Sequence, residues 1–172
     1  MTSRNHAAAL TWRPATALDL VEIHRIGNAI HAELPESPEV FAEKLRLFPE
    51  GCFALTEHAR VVGYSFCHPW RLRSIPPLNE LLVRLPASPD AMLIHDVAVL
   101  PEARGRGSTA ILVGLIEALA NRLDISYLAL VSVYNTRAFW ARFGFEEIAD
   151  GKLADKLASY GAVARYMMRK LE

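Results

Sequence analysis

The pattern of apolar and polar positions in the first part of the chain predicts one short strand followed by two helices. Residues 10–13 have the composition of a strand, and residues 17–32 carry apolar side chains close to helical spacing. Ser37 is placed to cap a second, shorter helix. The apolar positions that carry this spacing are Leu18, Val21, Ile26 and Ile30 in the first helix and Phe41, Leu45 and Phe48 in the second.

The next segment predicts an antiparallel hairpin and then a long loop. Residues 52–56 and 61–70 are strand-like and are separated by a short polar connection. The following stretch is rich in proline, which removes backbone donors and stiffens the chain. We expect a stiff loop here, with one helical turn at residues 78–85. Five of the ten prolines of the chain fall in this region: Pro69, Pro76, Pro77, Pro86 and Pro89.

Residues 92–100 form the most strand-like segment of the chain. His95 and Asp96 are its only polar residues, so the pattern predicts a strand buried on both faces in the middle of a sheet. A glycine-containing turn and an amphipathic helix follow. The apolar stripe of that helix is Ile111, Leu112, Leu115, Ile116, Leu119 and Leu123.

The last third of the chain predicts another buried strand at residues 127–133, a short helix at 135–143 and a terminal pair of strands at 145–148 and 163–168. The complete order is β-α-α-β-β-β-α-β-α-β-β. Such an order predicts an α/β fold with one central mixed sheet and helices on both of its faces.

Composition narrows the class of protein. The chain has 172 residues, 52% of them apolar and 22% charged, which predicts one globular domain, with residues 1–9 as a disordered tail. The zero formal net charge argues against nucleic acid or a membrane as a partner. Cys52 and Cys67 form no CxxC spacing, and no segment resembles a signal peptide or a membrane span. We therefore expect a cytoplasmic protein without a metal.

The turn before the amphipathic helix is the strongest candidate for chemistry. It contains Arg104, Gly105, Arg106 and Gly107. The N–H groups of a helix start are free to bind an anion, and glycine lets a phosphate approach the backbone closely. The two arginines add positive charge. The alternative is a surface turn with two solvated arginines.

Two common phosphate motifs fail at this turn. Residues 105–110 satisfy G-x-G-x-x-A, but a dinucleotide-binding domain would begin with that motif, and too little chain follows Ala110 to build one. The acidic residue near the expected distance, Asp124, precedes the next strand rather than ending it. No Gly-Lys-Ser/Thr sequence is present, so a P-loop is excluded as well.

The segment Arg104-Gly-Arg-Gly107-Ser-Thr109, between a strand and a helix, resembles the pyrophosphate loop of the GNAT superfamily of acyl-CoA-dependent N-acyltransferases. The segment from Asn135 through Trp140 to Gly144-Phe145 resembles the next helix of that family and its Gly-Phe ending. The predicted order of elements is also that of the family. The chain departs from it at Thr109, where Gly or Ala is usual, and at Trp140, where Tyr often serves as the leaving-group acid.

The resemblance implies transfer of an acetyl group from acetyl-CoA, as co-substrate, to a primary amine by direct attack in a ternary complex. It implies that a backbone N–H of the central strand polarises the thioester carbonyl. It implies that the pantetheine arm lies along that strand as an added strand would. The residues that it implies for cofactor binding are Val97, Ala98, Val99, Arg104, Gly105, Arg106, Gly107, Ser108, Thr109, Asn135 and Trp140.

The catalytic candidates are His95 and Asp96 as bases and Tyr134 as the acid for the leaving thiolate. Strand alternation predicts that His95 and Asp96 point to opposite faces, so that only one faces the acceptor directly. Both residues could instead only hydrogen-bond neighbouring backbone, and Tyr134 could be an aromatic cap at a strand end. The indole of Trp140 cannot act as the acid, because it does not give up its proton.

The acceptor is the least determined part of the prediction. The resemblance places Glu33, Glu36, Trp70 and the proline-rich loop around it. The two glutamates could attract an ammonium group or be merely solvated. The stiff loop, with Trp70 and Leu78, favours a bounded pocket for a small-molecule amine. The alternatives are a protein or peptide N-acetyltransferase and a non-catalytic acyl-CoA-binding module, and the prediction allows for a homodimer.

Overall fold

The structure is a computed structural model that describes residues 9–172. Its strands are β1 (Leu10–Pro14), β2 (Cys52–Glu57), β3 (Arg60–Trp70), β4 (Ala91–Val99), β5 (Tyr127–Ser132), β6 (Glu146–Glu147) and β7 (Arg165–Lys170). Its α-helices are α1 (Leu20–Ile30), α2 (Pro38–Leu47), α3 (Ser108–Arg122), α4 (Arg137–Ala141) and α5 (Ala154–Ala158). The predicted α/β class is confirmed.

The strands form one seven-stranded sheet with the order β1-β2-β3-β4-β5-β7-β6. Every pairing is antiparallel except that of β4 with β5, which are parallel. Parallel neighbours need a crossover connection, and α3 supplies it. This topology places the end of β4 and the start of α3 at the centre of the molecule.

The helices cover both faces of the sheet, as the sequence predicts. On one face α3 and α4 pack over Met92 and Ile94 of β4. On the other face α1 and α2 pack over Tyr64 and Phe66 of β3. The two faces bury separate sets of side chains because neighbouring residues of a strand point in opposite directions.

The apolar stripe of α3 is partly different from the predicted one. Ile111 is 56% exposed, and Leu115 and Leu123 are 39% and 38% exposed. Val113 and Ala120 are buried in addition to the other three predicted residues. The buried face is therefore rotated relative to the one predicted from periodicity.

The start of the first helix also differs from its prediction. Leu18 and Val21 are 94% and 82% exposed, whereas Asp19 is buried. Asp19 accepts hydrogen bonds from both terminal nitrogens of Arg13 and from the N–H of Thr16. These bonds tie the helix start to β1 and turn the two apolar residues outward.

Residues 71–90 form an irregular loop between β3 and β4, which we call the roof loop. The helical turn predicted at residues 78–85 is wrong, because this segment has no helix. Its backbone instead bonds side chains of other elements. The short helix α5, which lies between the two terminal strands, has no counterpart in the prediction.

Of the predicted disordered tail, only Ala9 falls within the described residues. The prediction of a single domain stays a prediction. Among residues 9–172, no helix combines the length and apolar character that crossing a bilayer requires.

Candidate functional site

A cleft opens in the middle of the sheet where β4 and β5 separate. The two strands pair only between Met92–Ile94 and Leu128–Leu130, although both continue further. On the far side of β4, the N–H of Leu100 donates to the carbonyl of Val62. Backbone groups alternate in direction along a strand, so those of Val97 and Val99 point into the cleft. The separation that the added-strand prediction requires is therefore present.

The turn at residues 104–107, which we call the glycine turn, lies at the end of this cleft. Gly105 and Gly107 have φ values of 72° and 78°, in the left-handed region that favours glycine. A Cβ atom added at either position would meet nothing within 4 Å. The glycines are therefore required by backbone conformation, and the space above the turn is open.

Both arginines of the glycine turn are bonded to protein groups. Arg106 Nη1 lies 2.7 Å from Glu57 Oε1, and Arg104 Nε donates to the Val99 carbonyl at 2.8 Å. Ser108, the first residue of α3, is buried, and its carbonyl accepts a bond from the indole of Trp12 at 2.7 Å. The indole bond holds the helix start against β1.

A bulge in β4 changes the predicted orientation of the two candidate bases. Asp96 pairs with Phe66 and Ile94 pairs with Cys67, which leaves His95 as an extra residue. The prediction that His95 and Asp96 point to opposite faces is wrong. Both side chains lie on the face covered by α1 and α2, because a bulge interrupts the alternation.

Asp96 joins three elements at the cleft. Its Oδ2 accepts a 2.6 Å bond from the hydroxyl of Tyr64, and its Oδ1 lies 3.0 Å from Nε2 of His31. His31 follows the last residue of α1, and its Nε2 is also 3.3 Å from the Val97 carbonyl. Its ring stacks on that of Tyr134, with centroids 5.6 Å apart.

His31 was not predicted from the sequence as a site residue. A histidine at the end of a helix carries no local signal, and only the packing of α1 over the bulge brings it to Asp96. Burial lowers the pKa of His31, but the charge and hydrogen bond of Asp96 outweigh this, so that the pKa is raised above its ordinary 6.5.

Four charged or titratable side chains, Glu36, Lys44, His68 and His95, form a second group that we call the buried cluster. Lys44 Nζ is 2.9 Å from Glu36 Oε2, and both side chains are nearly inaccessible, at 2% and 8% exposed. His95 Nδ1 is 2.9 Å from Nε2 of His68. His95 Nε2 is 3.7 Å from Glu36 Oε1, which is too long for a hydrogen bond. The alternative of a solvated Glu36 is therefore excluded, whereas Glu33 is exposed.

Burial and neighbouring charges determine which members of the buried cluster are ionised. Burial lowers the pKa of His95, and Lys44 lowers it further. Burial and His95 lower the pKa of His68 to about 3. Burial raises the pKa of Glu36, but His95 and the ammonium of Lys44 outweigh that effect and hold it at about 2. The cluster at neutral pH is thus one ion pair beside two neutral imidazoles.

Hydrogen bonds anchor the roof loop at two places near the buried cluster. The Glu43 carboxylate of α2 accepts bonds from the N–H groups of Leu82 and Val83 at 2.6 and 2.9 Å. On the other side, the Tyr160 hydroxyl donates to the Pro76 carbonyl at 2.8 Å. Val83 has a φ of 64°, unusual for a β-branched residue, and the two bonds to Glu43 stabilise this conformation.

Trp70 connects the roof loop to the buried cluster. Its ring packs against that of His68 with centroids 5.2 Å apart. Its Nε1 atom is buried and has no hydrogen-bond partner among the described residues. It also lines a groove of about 510 Å³ under the loop together with Arg71, Ser74, Leu82, Arg84, Leu85, Pro86 and Ala87.

The remaining predicted residues lie after β5. Tyr134 is 40% exposed and borders the cleft through its contact with His31. Asn135 is exposed and has a φ of 61°. Trp140 is buried in the core, where its ring packs on that of Phe145. Burial raises the pKa of Tyr134, and Glu33 and Asp96 add to the effect.

Comparisons with known proteins agree with this geometry. The model of the acetyltransferase (GNAT) family matches residues 18–145. None of the curated proteins matches the chain. Similar solved structures include Ard1 from Thermoplasma volcanium, with 17% identity, coverage of 95% of this chain and 99% of that one, and a TM-score of 0.71.

Two further structures share the fold. One is the ribosomal-protein-S18-alanine N-acetyltransferase from Escherichia coli, with 16% identity, coverage of 95% of both chains and a TM-score of 0.65. The other is N-acetylglutamate synthase from Neisseria gonorrhoeae, complexed with coenzyme A and N-acetyl-glutamate. It has 20% identity, covers 96% of this chain and 36% of that one, and has a TM-score of 0.71.

Proposed function

The chain belongs to the acetyltransferase (GNAT) family, whose model matches most of its length, and on this premise we propose its reaction. It transfers an acetyl group from acetyl-CoA to a primary amine of a small molecule, by direct attack in a ternary complex. The observation that carries the proposal is the open edge of β4 at Val97 and Val99, which the glycine turn follows after one short 3-10 turn, Pro101–Ala103.

The edge of β4 and the glycine turn suit two parts of a CoA molecule, the pantetheine arm and the pyrophosphate. The N–H groups of Val97 and Val99 suit the amide carbonyls of the pantetheine arm, with Ala98 between them facing the core. The pyrophosphate suits the N–H groups of the glycine turn and of Ser108 and Thr109 at the start of α3. Open space above Gly105 and Gly107 supports this assignment.

The side chains around the cleft supply the chemistry in this proposal. A backbone N–H of β4 polarises the thioester carbonyl. Asp96 lies at the cleft, and His95 lies in the buried cluster beneath it. We retain both as candidates for the group that removes a proton from the amine. The hydroxyl of Tyr134 is protonated at neutral pH, since burial raises its pKa, and we retain Tyr134 as the group that gives a proton to the departing thiolate.

A small acceptor is supported by the roof loop. Its bonds to Glu43 on one side and Tyr160 on the other bound the space above the buried cluster. A polypeptide would need an open groove there. We also propose a cytoplasmic location, which the two free cysteines Cys52 and Cys67 support.

An amine panel assayed by thiol release from acetyl-CoA tests this function. The panel includes amino acids, polyamines, amino sugars and short peptides. Turnover of one small amine, with none of the peptides, is the expected result. Turnover of peptides alone would make the chain a peptide or protein acetyltransferase. Calorimetric binding of acetyl-CoA with no turnover at all would favour a non-catalytic acyl-CoA-binding module.

The Arg104→Ala variant tests the glycine turn. Loss of a charge-assisted bond to phosphate predicts CoA binding weakened about 10-fold or more. The matched control is Arg122→Ala at the other end of α3, where the side chain is 63% exposed and lies beside Glu50. Calorimetry with CoA measures both variants. Equal affinity of the Arg104→Ala variant and the wild type would remove Arg104 from the site.

A further inference from the structure

His31 is a catalytic candidate that neither the sequence nor the family match assigns. Its Nε2 atom lies 3.0 Å from a carboxylate oxygen of Asp96 and 3.3 Å from the carbonyl oxygen of Val97. Both neighbours are acceptors, so Nε2 is the nitrogen that carries a proton. The tautomer of a neutral His31 is thereby determined by Asp96 and the strand backbone.

This tautomer leaves Nδ1 with a lone pair. Among residues 9–172, no hydrogen bond or ion pair involves His31 Nδ1. The ring is 15% exposed and is covered on one face by Tyr134. It therefore lies at the cleft, beside the part of β4 that does not pair with β5.

We propose that Nδ1 of His31 is the general base that accepts the proton of the acceptor amine, with Asp96 as the positioning residue. The role rests on the proposed function. It follows from the contacts of Nε2, which orient the ring and fix its tautomer, and from the location of the ring at the cleft.

The amine nitrogen forms a bond to the thioester carbon while Nδ1 takes one N–H proton. The C–S bond then breaks, and its electron pair goes to sulfur. The thiolate takes its proton from the hydroxyl of Tyr134, and the imidazolium of His31 returns a proton to that oxygen, directly or through water, which regenerates both side chains and yields free thiol.

His95 is less suited to this step because both of its ring nitrogens face protein groups. Nδ1 is bonded to His68, and Nε2 faces Glu36. Its side chain is 5% exposed. An amine would have to displace one of these partners to reach it, whereas His31 Nδ1 has none to displace.

The charged and titratable groups around His31 come from every element that packs near it. Asp96 lies on β4, and Tyr64 of β3 donates to its other oxygen. Tyr134 stacks on the ring from the segment after β5, and Glu36 acts from the segment between α1 and α2. Asp96 and Glu36 both favour the imidazolium, so the base titrates above its ordinary 6.5.

Kinetics of the His31→Gln variant test the proposal. We expect kcat/KM to fall about 100-fold with unchanged CoA affinity, and the acidic limb of the pH profile to disappear. The control is His24→Gln in α1, where the His24 ring bonds the side chain of Asn28 and packs edge-on against Phe41, and wild-type kinetics are expected. Wild-type turnover and an unchanged acidic limb in His31→Gln would overturn the base.

NMR of the wild type and of the Asp96→Asn variant gives a readout that does not depend on turnover. Long-range ¹H–¹⁵N spectra of the wild type should show neutral His31 protonated at Nε2 and a pKa above 6.5 that falls in Asp96→Asn. The acidic limb of the pH profile should move to lower pH with it. Protonation at Nδ1 would overturn the proposal even if the His31→Gln variant failed to fold.

Chemical rescue separates a catalytic role from a structural one. Imidazole added to the His31→Ala variant should restore turnover at least 10-fold. Absence of rescue in a folded variant that still binds CoA would argue against the base. If the wild type turns over an amine and the His31→Gln variant does so equally well, the assignment of His31 as the base is wrong, and the proposed function stands. No turnover by wild type with any amine would overturn the proposed function as well.

Discussion

The glycine turn lies at the end of the cleft and the buried cluster lies beneath it. The two regions differ in their exposure to solvent and in the groups that they present. The turn is exposed, and a Cβ on either of its glycines would meet open space. The cluster is closed beneath the roof loop, and its four side chains face one another at 2.9 to 3.7 Å. The turn offers backbone N–H groups, whereas the cluster consists of side chains.

This difference predicts different consequences of substitution. Substitutions in the glycine turn should weaken ligand binding but leave the fold nearly as stable as the wild type. The reason is that few contacts depend on the side chains of the turn. Changes in the buried cluster should destabilise the fold first, since each loss leaves another group buried without its partner.

The Lys44→Ala variant should lose about 3–5 kcal/mol of unfolding free energy, because it leaves the Glu36 carboxylate buried without an ammonium. Urea denaturation followed by circular dichroism measures the loss. The control is Arg46→Ala on the same helix, 68% exposed and 3.8 Å from Glu43, which should stay within about 0.5 kcal/mol of wild type.

The double variant Lys44→Met with Glu36→Gln sharpens this test. Removing both charges avoids an unpaired carboxylate, so most of the lost stability should return. If Lys44→Ala were no less stable than Arg46→Ala, the ion pair would not stabilise the fold, and the contrast between the two regions would be wrong.

The Gly107→Glu variant should weaken CoA binding about 100-fold and cost only about 1–2 kcal/mol of stability. The substitution places a side chain at a φ of 78° and a negative charge where the phosphates are expected. Gly114→Glu is the control, because Gly114 lies in α3, the helix that follows Gly107, and a Cβ there also meets open space. Calorimetry with CoA should find that Gly114→Glu binds normally. Equal weakening of both variants would indicate a general charge effect.

The pH dependence of stability should report the buried cluster. The pKa of Glu36 is about 2 in the fold and 4.5 ordinarily, so the unfolded chain binds the proton first as pH falls. Its contribution to stability is complete above pH 4.5 and is lost between pH 4.5 and 2. Urea titrations at several pH values should show a steeper loss for wild type than for Glu36→Gln. Parallel curves would contradict the low pKa of Glu36.

The Glu43→Gln variant should have the smallest effect on stability, and that effect should be confined to the roof loop. The amide keeps one acceptor oxygen for Leu82 and Val83, so local stability should fall by about 1–2 kcal/mol. Hydrogen exchange at those two amides should become about 10-fold faster, and KM for the amine should rise. Glu39→Gln, on an exposed part of the same helix, is the control. Faster exchange in both variants would point to loosening of α2 rather than of the loop.

Local patterns predicted most of the elements but not the orientation of every residue. The strand from Ala91 to Val99 was predicted within a residue at each end, because its long apolar run has few other interpretations. The orientations of Leu18 and Val21 were wrong, because the bonds of Asp19 to Arg13 outweigh apolar periodicity. The glycine turn was also evident from sequence, since left-handed glycines and a helix start are local features.

The fold class, the family and the glycine turn were therefore accessible from the sequence, because each depends on residues close together in the chain. The arrangement of side chains over β4 depends on the tertiary structure. A bulge places His95 and Asp96 on one face, and the packing of α1 brings His31 to Asp96 from 65 positions away in the chain. Burial then lowers the pKa of His95, whereas the contact with Asp96 raises that of His31. Contacts between distant elements, and the loss of water around them, are absent from any local pattern.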